Sequence, residues 1–366
     1  MAAKKTGISP DLLIHPGETI ADVLEDRGIT QVELATRTGV SPAYISAIIS
    51  GKKNISTNFA RSLEYALGIP KSFWLNLQAN YDAERLEVTE SQTITENEKL
   101  AYKSLSEVIN FLRKRQLIPV GQKVEDTILS LRKILQISNL ENLTALVPQG
   151  AFRMAPTRPV NAYVLGAWLR LCQIFGEEKE ISTCFDREQI DRLVAEIKAV
   201  MMNPGGNLQQ ELSGVMNRYG IDFSVVQNFK GAPVQGYITQ KMDGIYKIGL
   251  TIRASFADIF WFSLFHEIGH IMNGDVSKGA KFIDSSDSQN QQQEELANLF
   301  ASNALLSQDS YEEFIAKGDF SIEAIFRYAN SQGVQPYIVI GRLQREERIP
   351  YSRYSRYKLR YKWEQY

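Results

Sequence analysis

The chain has 366 residues, 44% of them hydrophobic and 23% charged, with a formal net charge of −1. That length exceeds one ordinary core and predicts two or three domains, while the near-neutral balance excludes bulk attraction to polyanions and leaves any nucleic-acid contact to a local patch. Two cysteines, Cys172 and Cys184, make no CxxC pair, the N-terminus lacks the apolar core of a signal peptide, and the longest apolar stretch (259–265) is too short to span a bilayer, so a cytoplasmic chain without membrane association is expected.

Residues 1–81 read as a domain of short helices. Apolar residues recur at helical spacing in Ile20, Val23, Leu24; Val32, Leu34, Ala35; Ile45, Ile48, Ile49; and Leu63, Ala66, Leu67, with breaks at Gly28, Gly39, Gly51 and Gly68-Ile69-Pro70. The stretch Thr30 to Ile49 has a helix-turn-helix pattern. Ala35 is small, Gly39 makes the turn, and Val40, Ile45 and Ile48 fill the space between the helices. Ser41 is a good N-cap and Pro42 a good first residue for the second helix. Its outer face carries Ala43, Tyr44 and Ala47 with Ser46 beside it, while Gln31, Lys52 and Lys53 are placed to hold phosphates. Double-stranded operator DNA is the expected partner. Residues 1–88 hold nine Lys/Arg against ten Asp/Glu, so strong nonspecific binding is not expected.

The polar stretch 82–98 reads as a linker. Residues 99–205 read as a helical middle region, with helices over Leu100–Gln116, Val124–Leu135, Ala162–Phe175 and Arg187–Met202. From Gly220 the texture changes to three short β-branched segments, Ile221–Val226, Val234–Thr239 and Ile245–Ile252, expected to form a small mixed or antiparallel sheet. A strong helix over Phe256–Met272 follows, stopped by Asn273-Gly274.

That helix contains His266-Glu267-Ile268-Gly269-His270. Positions i and i+4 share a helical face, so both imidazoles reach one ion, and Glu267 between them is placed to take a proton from water activated by that ion. Three histidines occur in the whole chain, and two of them sit in this motif among Ile259, Phe260, Phe262, Leu264, Phe265, Ile268 and Ile271. Buried imidazoles need partners, and a metal is an economical one. The third ligand must then be a carboxylate from Asp275, Asp284, Asp287, Glu294 and Glu295. In a helix over Gln291–Leu306, Glu294 lies near the inward face with Ala297 and Ala301, and Glu295 lies almost opposite. Glu294 is preferred, with Glu295 the alternative. The expected ion is zinc, with manganese as a second candidate.

The HExxH helix, followed by Glu294-Glu295-Leu296-Ala297-Asn298-Leu299-Phe300-Ala301 and Leu305-Leu306, resembles the ImmA/IrrE family of metallopeptidases over roughly residues 206–345. Trp261-Phe262 and Phe282-Ile283-Asp284 extend the likeness, whereas Ser307-Gln308 stands where that family usually has a proline. The resemblance implies a reduced zincin-like fold and cleavage of DNA-binding repressors. Over residues 14–84, His15-Pro16-Gly17-Glu18, Ser50-Gly51-Lys52 and Phe73-Trp74-Leu75-Asn76-Leu77-Gln78 are similar to HigA-type antitoxins. That similarity implies operator binding, commonly as a homodimer, and in some members binding of a cognate toxin; it also makes His15 a structural residue at the entry to the first helix.

Residues 342–366 carry eight Lys/Arg against three Glu, with five tyrosines and Trp363. Such interleaving binds single-stranded nucleic acid or, more plainly, closes the preceding domain. The expected fold class is therefore α+β and mostly helical, with a zincin-like domain over 206–366. The expected function is a metal-dependent endopeptidase that cleaves a regulator protein, coupled to a DNA-binding module. The alternative is an antitoxin and autorepressor whose zincin-like domain serves as a sensor or scaffold.

Overall fold

A computed structural model describes residues 13–147, 160–175, 181–203, 205–234, 236–252, 256–276, 281–283 and 291–362. The chain divides into two units, Met1–Thr95 and Glu96–Tyr366.

The first unit contains α1 (Pro16–Asp26), α2 (Gln31–Thr38), α3 (Pro42–Ile49), α4 (Thr57–Leu67) and α5 (Lys71–Thr89). Side-chain oxygens cap three of them: Thr30 accepts from Glu33 N, Ser41 from Tyr44 N and Ser56 from Phe59 N, each satisfying a backbone donor that the helix leaves free. Gly39 ends α2 at φ 72°, a left-handed conformation that a side chain would strain. Ile20, Leu34, Ala35, Ile45, Ile48, Phe59, Leu63 and Trp74 form the core. Val32, counted above among the apolar positions, is instead 62% exposed; it is one residue into α2 and on its outer side. His15 is the N-cap of α1, its Nδ1 accepting from Gly17 N at 2.9 Å.

Residues 82–98, read as a linker from their polarity, carry the last turns of α5, a short 3-10 turn (Glu90–Thr93) and the start of α6 (Glu96–Ser104). Side-chain pairs support this polar end of α5: Gln78 donates to Asp82 and Arg85 pairs with Asp82. Such pairs hold a helix that has no apolar stripe. Glu98 is fully buried, where Arg132 and the backbone N–H of Leu140 donate to it. The helix expected over Leu100–Gln116 is broken at Leu105 into α6 and α7 (Ser106–Lys114).

The second unit continues with α8 (Val124–Leu135), α9 (Ala162–Ile174), α10 (Ile190–Met202), α11 (Leu208–Asn217), β1 (Ile221–Val225), β2 (Gly236–Gln240), β3 (Tyr246–Leu250), α12 (Ala257–Asn273), β4 (Lys281–Ile283), α13 (Gln291–Leu305), α14 (Gln308–Lys317), α15 (Ile322–Ser331) and α16 (Pro336–Arg345). The strands form one mixed sheet in the order β1-β3-β2-β4, with β1 parallel to β3 and the other pairs antiparallel. The fourth strand was not among the expected ones.

Strand alternation sorts the sheet's two faces. Ile221, Phe223, Val225, Ile238, Ile248 and Leu250 join the core formed with α11 and α12. The opposite face meets α9: Ser224 Oγ donates to Cys172 O at 3.1 Å, and Gln173 Nε2 donates to Tyr237 Oη at 3.1 Å. Buried residues occur all around α9, as a helix between other elements requires. The middle region thus supplies the second cover of the sheet. On that face Lys247 and Asp222, opposite one another on β3 and β1, form a buried ion pair at 2.6 Å.

The basic, aromatic C-terminus is held against the start of α12. Leu359 O accepts from Ala257 N at 3.0 Å, Lys358 Nζ lies 2.7 Å from Asp258 Oδ2, and Trp261 Nε1 donates to Tyr361 Oη at 2.9 Å. The described part of the tail closes the unit; Trp363 lies outside the described residues.

Candidate metal centre and helix-turn-helix domain

The candidate metal centre is set by two helices in close contact. Residues 257–273 are predominantly apolar, so α12 is buried on most of its circumference, and His266, Glu267 and His270 are carried into the interior with it. Against it lies α13. A Cβ added at Gly269 would come within 3.0 Å of Ala297 Cα and carbonyl oxygen. The Gly269–Ala297 contact therefore sets how near α13 approaches, and Glu294 stands one turn before Ala297.

His266 Nε2 and His270 Nε2 are 3.1 Å apart, and Glu294 places Oε2 3.2 Å from His266 Nε2 and Oε1 3.7 Å from His270 Nε2. The other ring nitrogens are engaged. His270 Nδ1 is 2.8 Å from Asp275 Oδ2, and His266 Nδ1 is 3.1 Å from Asn298 Oδ1. A carboxylate can only accept, so His270 donates from Nδ1 and, as a neutral imidazole, presents a lone pair at Nε2. The carbonyl oxygen of Asn298 sets the same tautomer in His266. Two lone pairs and a carboxylate thus converge on one point. Tetrahedral zinc at about 2.0–2.1 Å from two nitrogens would hold them about 3.3 Å apart, close to the separations present. His266, His270 and Glu294 are the group among the described residues able to hold a metal ion. Burial lowers the His270 pKa, against the opposing pull of Asp275, and so favours the neutral form that ligates metal.

Of the carboxylates weighed above, Glu295 is exposed and accepts from Gln291 Nε2 on the outer side of α13. Asp275 is not beside the Nε2 atoms. The chain turns back after Gly274, at φ 76°, and brings Asp275 onto the far nitrogen of His270. Asp284 and Asp287 lie outside the described residues. Asn298 was missed as a partner of His266; its place one helical turn after Glu294 was the available signal. Glu267 is fully buried, and its Oε1 rests against Gly236 so closely that a Cβ there would fall 1.7 Å away. A cavity of about 590 Å³ opens beside the group, with His266 and Glu294 on its wall.

In the first unit, α3 turns Ser41, Pro42, Ala43 and Ser46 to the surface, with Tyr44 and Ala47 half-buried and Ile45 and Ile48 in the core. Gln31, Lys52 and Lys53 are exposed. The half-exposed Tyr44 ring is held in place by its own domain: it meets Phe59 edge-on at 5.2 Å, and Lys53 Nζ lies 4.3 Å from the ring centre. Among the described residues, no helix is long and apolar enough to cross a membrane.

Residues 20–74 match the helix-turn-helix family model HTH_3. Virulence-associated protein A' of Dichelobacter nodosus is 42% identical over 69 residues, which span 19% of this chain and 60% of that relative's length. Similar solved structures include a putative antidote protein of a plasmid maintenance system from Nostoc punctiforme, 36% identical over 22% of this chain and 97% of its own (TM-score 0.20). An addiction module antidote protein of the HigA family from Coxiella burnetii is 30% identical over 23% and 96% (TM-score 0.21). The Pseudomonas aeruginosa antitoxin HigA, solved with the higBA promoter, is 29% identical over 23% and 97% (TM-score 0.21). With its capped α2 and α3 joined at Gly39, the segment 20–74 is a helix-turn-helix DNA-binding domain of the HTH_3 family.

Proposed function

We propose that the chain is a DNA-binding regulator of the HigA antitoxin type whose second unit is a zinc-dependent endopeptidase acting on a regulator protein. The first part rests on the helix-turn-helix match and on sequence identity to antidote proteins, one of them solved with its promoter. It carries with it a homodimer on an inverted repeat in the chain's own promoter and a cognate toxin as a further partner. The second part rests on one observation: the convergence of His266, His270 and Glu294, with Glu267 on the same helix. Zinc or manganese fits this donor set.

When bound, the ion supplies a Lewis acid that polarises a peptide carbonyl and lowers the pKa of water. His266 and His270 hold their rings through Asn298 and Asp275, so the Nε2 lone pairs stay aimed at one point. Glu267 accepts a proton at its carboxylate and returns it to the leaving amine. The low exposure of His266 and His270 limits competing water.

A second reading keeps the regulator and makes the metal group a sensor or scaffold. The complete burial of Glu267 favours it. Glu267→Gln separates the two, because it preserves shape and removes the base. Under the peptidase reading this variant folds, binds zinc and binds DNA, and loses cleavage of the regulator or toxin encoded beside it by about a hundredfold or more. A silent Glu267→Gln beside a damaged His266→Ala, read by promoter repression in cells, leaves the scaffold.

A further inference from the structure

The cavity beside the metal group has an apolar floor of Ile259, Phe262, Leu305 and Ile338. Its volume, about 590 Å³, lies within the range of sites that enclose an organic ligand. Among the described residues three cations stand on its wall, and two of them are neutralised. Lys358 pairs with Asp258 at 2.7 Å, and Arg342 pairs with Glu346 at 2.9 Å while stacking on Tyr311.

Arg345 differs. It is exposed and lies 5.0 Å over the ring of Phe262, with no carboxylate among the described residues at ion-pair distance. Phe262 in turn stacks on His266, with ring centres 6.3 Å apart. One aromatic ring therefore separates a guanidinium with no carboxylate partner among the described residues from a candidate metal ligand. A guanidinium over an aromatic ring still has N–H groups to donate, and its edge matches a carboxylate in two parallel hydrogen bonds.

We propose that this cavity receives a peptide bound at the metal group, seating a bulky apolar side chain on the floor and an adjacent acidic side chain at Arg345. Arg345 is thus a specificity residue, and the substrate class is a peptide with neighbouring apolar and acidic residues. The proposal rests on the metal-site reading above but not on turnover.

The test uses the zinc-loaded full chain and two peptide hydroxamates that anchor on the ion, carrying Phe followed by Asp or by Asn. Calorimetry at low ionic strength should show the Asp form binding about tenfold more tightly, with the difference shrinking as salt screens the exposed arginine. Arg345→Ala should equalise the two, and Arg345→Glu should reverse the order. Equal affinities in the wild type, or an Asp preference that survives Arg345→Ala, overturn the proposal. Zinc content on the same samples separates the failures. Absence of zinc removes the metal site and this pocket together. Zinc with the Asp preference but no cleavage of the matching peptide removes the peptidase reading alone.

Discussion

Replacing Gly236 by alanine probes the proposed catalytic arrangement without touching a candidate metal ligand. The new Cβ would fall 1.7 Å from Glu267 Oε1, 2.5 Å from Cδ and 3.0 Å from Cγ. A carbon–oxygen contact needs about 3.3 Å, so the carboxylate must retreat by about 1.6 Å. The obstacle is the end of a side chain, and Glu267 can yield by rotation while the β2–β3 ladder stays paired. The folding cost should therefore stay within about 1–3 kcal/mol. A displacement of about 1 Å in a reacting group costs about a hundredfold in rate. Gly236→Ala should thus keep wild-type zinc content and lose about two orders of magnitude in peptide cleavage, read by mass spectrometry on a peptide mixture. Cleavage near the wild-type rate would show that Glu267 does not work from this position. Loss of zinc would show that Gly236 supports the ligands and not the base.

Other perturbations test the remaining assignments. Glu294→Gln should lower zinc affinity at least about tenfold in competition with a chelating dye, whereas Glu295→Gln should leave it unchanged; the opposite order would refute the face assignment on α13. Asp275→Ala frees the far nitrogen of His270 and should weaken zinc by about 10–100-fold while leaving the fold intact by circular dichroism. Arg132→Ala strips a buried carboxylate of its cation and should destabilise the second unit by about 3 kcal/mol in urea unfolding. Burial lowers the pKa of His15 below 6.5, so protonation favours the unfolded chain. Stability of the first unit should be full above that value and fall as pH drops below it, and His15→Asn should abolish that dependence in thermal melts. On an operator fragment, Tyr44→Ala should relax sequence preference and Lys52→Ala should weaken all sequences alike, measured at two salt concentrations.

The helix-turn-helix was legible because each of its signals is local. Ser41-Pro42 at the start of α3, Gly39 at the turn and the apolar spacing of Leu34, Ile45 and Ile48 all act within a few residues. The His266–His270 pair was legible for the same reason, since i and i+4 share a face whatever surrounds the helix. Glu294 needed a second helix and could be placed by its angle to Ala297 and Ala301. What escaped depended on distant packing. Glu98 looked like linker because its partner Arg132 lies 34 residues away. Asp275 stood only among the candidate carboxylates, and its partnership with Nδ1 of His270 was hidden because their separation along the chain says nothing of how the turn at Gly274 aims it. The role of α9 as the sheet's second cover depends on Cys172 meeting Ser224, 52 residues on, a pairing no periodicity reveals.

Metal stoichiometry is the most direct measurement of the central claim that His266, His270 and Glu294 hold one ion. The purified full chain, reconstituted with zinc and dialysed, should retain one equivalent by mass spectrometry of the metal. His266→Ala and His270→Ala should retain almost none at the same free zinc, with DNA binding by the first unit unchanged. A wild-type chain that keeps no stoichiometric metal, or histidine variants that keep as much as the wild type, would contradict the account.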